Sequence, residues 1–542
     1  MNASTLSRLA SLLLLAAPMA VGCAVNAEGG DGDDAIDEAA VDEALTSNTA
    51  LARTLEFQGR VYVEPTASDW SIVAAVKKQT QSAFGALREA NIGVNSRELS
   101  NVDSKTFVKR PVTMVDGSTR KAMLEVTYKY TDAAVVPKTM ARRSAISLGL
   151  LNGYYQSQSK RVLAECTSGD AHATEFEGSI WYVFDPSLSS CKKAMAAEQR
   201  AIDTARKVLA NPSSEILKIE AERLYIPMTA KLGKADTNSK PSYPEYDRLF
   251  AGGVQKGKLV IGMVNGMMAD WAAGEKHDTI DDSGYKMWFE GLAAIIKARP
   301  EMKLASIEGV KDLTVTVGGK TYTPSFTDVM NMELRSSGFP AGLSYSDRRA
   351  MRVALGDKLA KHWVSFQAPM TVSVGGVSSP LTIVLNTYFG AESDSTPHKR
   401  AIKTSDVFIY NGHSYIGYGP LDPSNFRASD FPSSYQILFI NGCVSYNYYE
   451  KDYIPLKQGG TRNLDLVTNG LESWVNGSGP AMGRFVGALV DGKQHSYSEL
   501  LKSAEFTGYG YSWGQDALRL VDGELDNLYT PAAKPIVLAA VK

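Results

Sequence analysis

The chain has 542 residues, with 57 Lys and Arg against 59 Asp and Glu, 44% hydrophobic residues and seven tryptophans. The near-neutral balance, with no run of Lys and Arg, excludes the basic footprint of a nucleic-acid binder, and no segment reaches the ~18 apolar residues that a membrane-spanning helix needs. The apolar content can fill a large core, and the length suggests two or three domains at about 150 residues each.

Arg8 is the only charge in the first 22 residues. The stretch SLLLLAAPMAV that follows has the length of a secretory h-region and is too short to span a bilayer. It ends Ala20-Val21-Gly22-Cys23. That resembles a bacterial lipobox, although Leu is commoner where Ala20 stands. The resemblance implies a lipoprotein signal peptide over residues 1–22, acylation of Cys23, and an exported protein held to the cell envelope by lipid, in the periplasm or at the cell surface. An ordinary signal peptide with an incidental cysteine is the alternative. Residues 24–52 carry eight acids and no base. Such a stretch buries too little apolar surface to fold, so residues 23–53 read as a solvated acidic tether. Without Arg8 and those acids, 56 basic residues face 51 acidic ones, and the body is mildly basic.

Residues 54–230 read as an α+β domain. LEFQGRVYV is strand-like and ends before Pro65. Asp69 is placed to cap a helix whose apolar positions Ile72, Val73, Val76, Ala83, Phe84 and Leu87 keep helical spacing. VTMVDGSTRKAMLEVTYKY is a hairpin turning at Asp116-Gly117. Cys166 and Cys191 are 25 positions apart, and an oxidising exported location favours their pairing, which would contribute about 3 kcal/mol through loop closure. Between them, Asp170, His172 and Glu175 lack a zinc-ligand spacing and read as a polar loop. A helix follows over AMAAEQRAIDTARKVLA. The polar, Pro-containing residues 231–246 read as a linker.

Residues 247–542 change character. The apolar runs KLVIGMV, LTIVLNTYF, DVFIY and YQILFI alternate with helices near 285–297 and 346–364, and VTVGGKTY and VSVGGVSSPLTIV read as Gly-Gly hairpins. Strands apolar on both faces are covered on both faces, so this half reads as an α/β sheet flanked by helices. Asp278, Asp281 and Asp282 lack EF-hand spacing. There is no GxSxG elbow and no phosphate-binding GxxxxGK[ST]. His277, His362 and His398 have no distinctive context, and His495 sits at a helix entry.

Two runs end alike. DVFIY leads into Asn411-Gly412-His413-Ser414, and YQILFI into Asn441-Gly442-Cys443-Val444. On neighbouring parallel strands these would deliver an imidazole and a thiol to one sheet edge, beyond the carboxyl ends where ligands bind in open α/β sheets. The glycines suit sharp turns. An imidazole can take a thiol proton, and attack on a carbonyl then needs N–H donors for the oxyanion. VFIYNGHS and ILFINGC resemble the paired blocks of the clan CD cysteine peptidases, the caspase, legumain, gingipain and clostripain superfamily. The resemblance covers two short blocks in the last ~160 residues. It implies a caspase-like, mostly parallel sheet in the C-terminal domain. It also implies His413 as general base, Cys443 as nucleophile, an oxyanion hole from the Ser414 and Cys443 backbone N–H groups, and no metal or cofactor in the chemistry. Ser414 stands where the family has Gly, and Gly442 where it often has Ala.

The specificity pocket lies outside those blocks. Asp465 and Asp422 are candidate acids for a basic substrate side chain, with turn or surface carboxylates as the plainer reading. Tyr446, Tyr448 and Tyr449 are candidates for a groove wall or for core. The reading is therefore an exported, lipid-anchored cysteine endopeptidase acting on polypeptides, and it predicts an open cleft with imidazole and thiol side by side. The other reading is a non-catalytic envelope or adhesion lipoprotein with Cys443 buried.

Overall fold

The computed structural model describes residues 45–541 except 169–175, 237, 239, 269–276, 392–393 and 506–516. Cys23, Asp170, His172 and Glu175 lie outside the described residues. Among the described residues the strands form a ten-stranded sheet, a seven-stranded sheet and a two-stranded hairpin. The architecture is mixed α/β.

The seven-stranded sheet belongs to the N-terminal half. Its spine is Ala50–Val63, paired along its whole length with Thr119–Pro137. The expected hairpin turns at Gly117, where φ is 58°. The helices Asp69–Gln81 and Ala83–Glu89 bury Ile72, Val76, Phe84 and Leu87 against it. Ser68, not Asp69, is the cap: its side chain accepts from the Ser71 N–H, and Asp69 takes the first helical position. A disulfide joins Cys166 to Cys191 and so ties the helix Ser159–Cys166 to the helix Ser189–Ala205.

Two sequence boundaries shift. Residues 45–53, read as the end of the tether, are folded: Thr46–Ser47 pairs with Arg519–Asp522, and the spine strand starts at Ala50, which is fully buried. The acids stop at Glu43, and the alternation of Leu51, Arg53 and Leu55 is already that of a half-buried strand. The expected linker is packed rather than free. Leu232 ends a strand, Asp236 bridges to Ala52, and Tyr246 is buried with its hydroxyl donating to the His495 carbonyl.

The ten-stranded sheet has a parallel centre in the order Val377–Gly390, Lys258–Gly266, Val407–Asn411, Gln436–Asn441, Leu464–Asn469. Antiparallel strands extend both edges, Arg519–Asp522 on one side and Val364–Val374 on the other. Both Gly-Gly hairpins form, with positive φ at Gly318, Gly319, Gly375 and Gly376. Every residue of Gln436–Asn441 is buried. Its side chains alternate between two cores: Ile437 and Phe439 meet the helices Ser283–Ala298 and Val475–Val490, while Leu438 and Ile440 face the other way. On that second face the covering layer includes the helices Thr396–Thr404 and Ser445–Tyr453, through Ala401, Ile402 and Tyr449. One apolar cluster runs from Phe57, Phe84 and Trp181 to Phe408, Leu438 and Tyr448. The N-terminal half thus packs on that helical layer, with Phe84 stacked on Tyr448 of Ser445–Tyr453.

Candidate functional site

The strands that precede His413 and Cys443 are adjacent and parallel, with Asn411 directly opposite Asn441. His413 and Cys443 each follow two residues later, so equal spacing from one register pair carries both to the same carboxyl edge. The two loops touch. A Cβ placed on Gly442 would lie 3.3 Å from Ser414 Cβ and 3.5 Å from the Gly412 carbonyl oxygen. Close approach, rather than an unusual backbone angle, is what Gly442 provides, since neither it nor Gly412 has positive φ. The left-handed residues come just afterwards, at Tyr415 and Ile416 (both φ 51°) and at Val444 (φ 50°). A β-branched residue there is strained by roughly 1–3 kcal/mol. Val444 is held by its N–H donating to the Leu471 carbonyl at 3.0 Å, and it opens the helix Ser445–Tyr453.

The His413 Nε2 lies 3.3 Å from the Met268 carbonyl oxygen. A carbonyl only accepts, so this contact puts the imidazole proton on Nε2 and the basic lone pair on Nδ1. Met268 is itself fixed. Its N–H donates to Asp282 Oδ1 at 3.0 Å, and the same carboxylate caps the Ser283–Ala298 helix. Asp282, unassigned by sequence spacing, therefore helps hold the histidine through a backbone carbonyl.

Behind the loops runs a row of asparagines, one from the end of each of four parallel strands. Asn411 Nδ2 donates to Asn265 Oδ1 (3.4 Å), Asn441 Nδ2 to Asn411 Oδ1 (2.8 Å), and Asn469 Nδ2 to Asn441 Oδ1 (3.0 Å). Asn469 Nδ2 also donates to the Gly442 carbonyl at 3.1 Å. Arg519, fully buried, closes the row by donating to Asn469 Oδ1 and Asn441 Oδ1, each at 2.9 Å, and to the Ala504 carbonyl at 2.7 Å. On the histidine side the Tyr410 hydroxyl donates to the His413 carbonyl at 2.6 Å, and the Tyr449 hydroxyl to the Ser414 carbonyl at 3.0 Å. Sequence reasoning missed Tyr410, Asn265, Asn469 and Arg519 as parts of the site.

The cleft expected over the thiol is covered. Cys443 and His413 are each 5% exposed, and Cys443 Sγ lies 3.8 Å from the Ser473 carbonyl oxygen. The loop carrying Ser473 is tied to the N-terminal half by Arg88 and Glu472, 2.6 Å apart. An opening remains beside the histidine loop, a cavity of about 250 Å³ whose lining includes Ile416, Tyr418, Tyr155, Trp181, Glu98 and Lys78.

The remaining candidates fall elsewhere. Asp465 is fully buried near the start of its strand, where it accepts from the Tyr435 and Tyr497 hydroxyls and from Asn527 Nδ2. Burial pushes its carboxyl up to about 7. Asp422 accepts from the Ser424 N–H and pairs with Arg97 of the N-terminal half at 3.3 Å. Tyr446, Tyr448 and Tyr449 are core residues of the Ser445–Tyr453 helix, with Tyr448 packed on Phe84. Asp278 and Asp281 pair with Arg349, and His495 with Asp491. His398 is buried, and burial lowers its imidazole to about 4. Among the described residues no His/Cys/Asp/Glu group could hold a metal ion, and no helix is long and apolar enough to cross a membrane. Compared with protein-family models, curated proteins and solved structures, the chain matches none of them.

Proposed function

We propose that the chain is an exported, lipid-anchored cysteine endopeptidase of caspase-like type, held here in a covered, latent form. The observation that carries this reading is the Asn411–Asn441 register, with the contact of the two loops at Gly442 and Ser414. In the proposed reaction the Cys443 thiol gives its proton to His413 Nδ1. The sulfur bonds to the substrate carbonyl carbon, and the carbonyl π pair moves to oxygen. The Ser414 and Cys443 N–H groups receive that oxyanion. Collapse breaks the C–N bond, the leaving amine takes the proton from His413, and water then hydrolyses the thioester.

The burial of the thiol favours a second reading, a non-catalytic envelope lipoprotein. An acyloxymethyl-ketone probe panel separates the two. The full-length protein is probed as purified and after limited proteolysis, alongside Cys443→Ala and His413→Ala. The peptidase reading expects labelling of Cys443 after proteolysis, abolished in Cys443→Ala and reduced at least tenfold in His413→Ala. No labelling of Cys443 in either state sinks it and leaves the second reading.

A further inference from the structure

We infer that Arg519 and Asn469 are positioning residues that polarise the Cys443 N–H of the oxyanion hole; the inference rests on the proposed peptidase reading. The Gly442 carbonyl and the Cys443 N–H are two ends of one peptide group. The carbonyl end accepts from Asn469 Nδ2 at 3.1 Å, and the same amide's Oδ1 accepts from Arg519 Nε at 2.9 Å. The sequence of groups is guanidinium, carboxamide, peptide, oxyanion, and on the carboxamide and the peptide an accepting oxygen is followed by a donating N–H of the same conjugated unit. Hydrogen bonds in such chains strengthen one another by about 10–30% per bond, and the cation at the head adds to it. The direction is fixed. Arginine has no acceptor atom, so Asn469 and Asn441 must both turn Oδ1 towards it. Asn469 Nδ2 is then left to face Gly442.

The histidine loop carries the same device in shorter form. The His413 carbonyl, whose peptide supplies the Ser414 N–H, accepts from the Tyr410 hydroxyl at 2.6 Å. Each donor assigned to the oxyanion is thus backed by a buried group on the far end of its own peptide.

The test compares reactions that form an oxyanion with one that does not. Full-length protein, activated by the same limited proteolysis, is assayed as wild type, Arg519→Met, Arg519→Lys, Asn469→Ser and Tyr410→Phe. Turnover uses the best-cleaved member of a peptidyl-coumarin panel, inhibition uses the matching peptide aldehyde, and iodoacetamide alkylates Cys443 without an oxyanion. Removing a whole oxyanion donor costs about 10²–10³ in kcat, so weakening one by about 10–30% is expected to lower kcat about 2- to 8-fold at unchanged KM. Aldehyde affinity should fall in parallel, the alkylation rate should stay within about twofold, and Arg519→Lys should recover part of the loss. Unchanged kcat and aldehyde affinity in variants of an active wild type overturn this inference alone. A fall in alkylation equal to the fall in kcat also overturns it, since that marks a purely structural role. Asn469→Ser leaves Arg519 bonded to Asn441 Oδ1 and the Ala504 carbonyl, so the inference stays testable where Arg519→Met fails to fold. A wild type that neither alkylates nor turns over brings down the peptidase reading and this inference with it.

Discussion

Asn441 donates its side-chain N–H to Asn411 Oδ1 at 2.8 Å, and the two residues are register partners on adjacent parallel strands. One hydrogen bond thus locks the strand that delivers the histidine to the strand that delivers the cysteine. Both side chains are buried, so neither amide has bulk water to fall back on. Removing one side of such a pair leaves a buried polar group unsatisfied and costs about 1–3 kcal/mol. Asn441→Ala also strips acceptors from Asn469 and Arg519. Urea unfolding of Asn441→Ala is therefore expected to give the larger loss and Asn411→Ala the smaller, at unchanged m-value. Equal stability of both variants and wild type would remove the row from any structural role.

Much of this region was legible in the sequence. KLVIGMVNG, DVFIYNG, YQILFING and LDLVTNG all end in Asn-Gly, and all four are neighbouring parallel strands. Two attract notice because a histidine and a cysteine follow. The other two lead into Met267 and Leu471 and look like ordinary strand ends. Arg519 could not be read. It lies on an antiparallel strand, 50 positions after Asn469, and only the pairing of those strands makes the two neighbours. Runs apolar on both faces announced that the sheet is covered on both sides. Periodicity reports burial and not the identity of the cover, so it gave no hint that Phe84 packs on Tyr448 of the helix after Cys443. Nor could it show that the loop over the thiol, at Glu472 and Ser473, is tied to Arg88 of the N-terminal half.

Asp465 makes stability depend on pH in an unusual direction. Its ordinary value is about 3.9, and burial raises it to about 7, against the opposing hydrogen bonds from Tyr435, Tyr497 and Asn527. Between those values the folded chain binds more protons than the unfolded one. The contribution is fully present below pH ~4 and is lost as pH rises through about 7, at no more than about 1.4 kcal/mol per pH unit. Asp465→Asn should remove this slope. Denaturation of wild type and variant at pH 4.5, 5.5, 6.5 and 7.5 checks it: the wild type should lose stability relative to the variant at each step. Parallel curves would contradict the assignment.

Arg88 and Glu472 join the N-terminal half to the loop whose Ser473 carbonyl lies over Cys443 Sγ. The Glu472 side chain is 30% exposed. The Arg88 side chain is only 13% exposed, but it also pairs with Glu89 at 2.6 Å, so neutralising Glu472 leaves no bare charge and costs about 1 kcal/mol. Glu472→Gln is the cleaner variant, because Arg88 also stacks on the Tyr182 ring at 4.6 Å. Releasing the tie should raise the reaction rate of the Cys443 thiol with a disulfide reagent about two- to fivefold, the Boltzmann factor for a bond of that strength. The melting temperature should barely change. An unchanged thiol rate would mean that other contacts keep the loop closed.

Gly442 is where strand geometry becomes loop contact. Its notional Cβ at 3.3 Å from Ser414 Cβ is tight, and the nearest other neighbour is the backbone oxygen of Gly412 at 3.5 Å. Alanine would need a shift of a few tenths of an ångström. Valine adds two methyl groups, and the loops must part to admit them. Because φ at Gly442 is not positive, neither substitution meets backbone strain. The contact sits at the loops, beyond the last residue pair of the ladder, so the sheet itself should survive. Gly442→Ala is expected to keep probe labelling of Cys443 within about threefold of wild type and Gly442→Val to lose it by more than tenfold, each methyl costing on the order of 1 kcal/mol of alignment. Both should unfold within about 1–2 kcal/mol of wild type. The measurement is labelling rate set against the unfolding midpoint. Full labelling in Gly442→Val would show that the histidine and cysteine loops need not touch for the thiol to react.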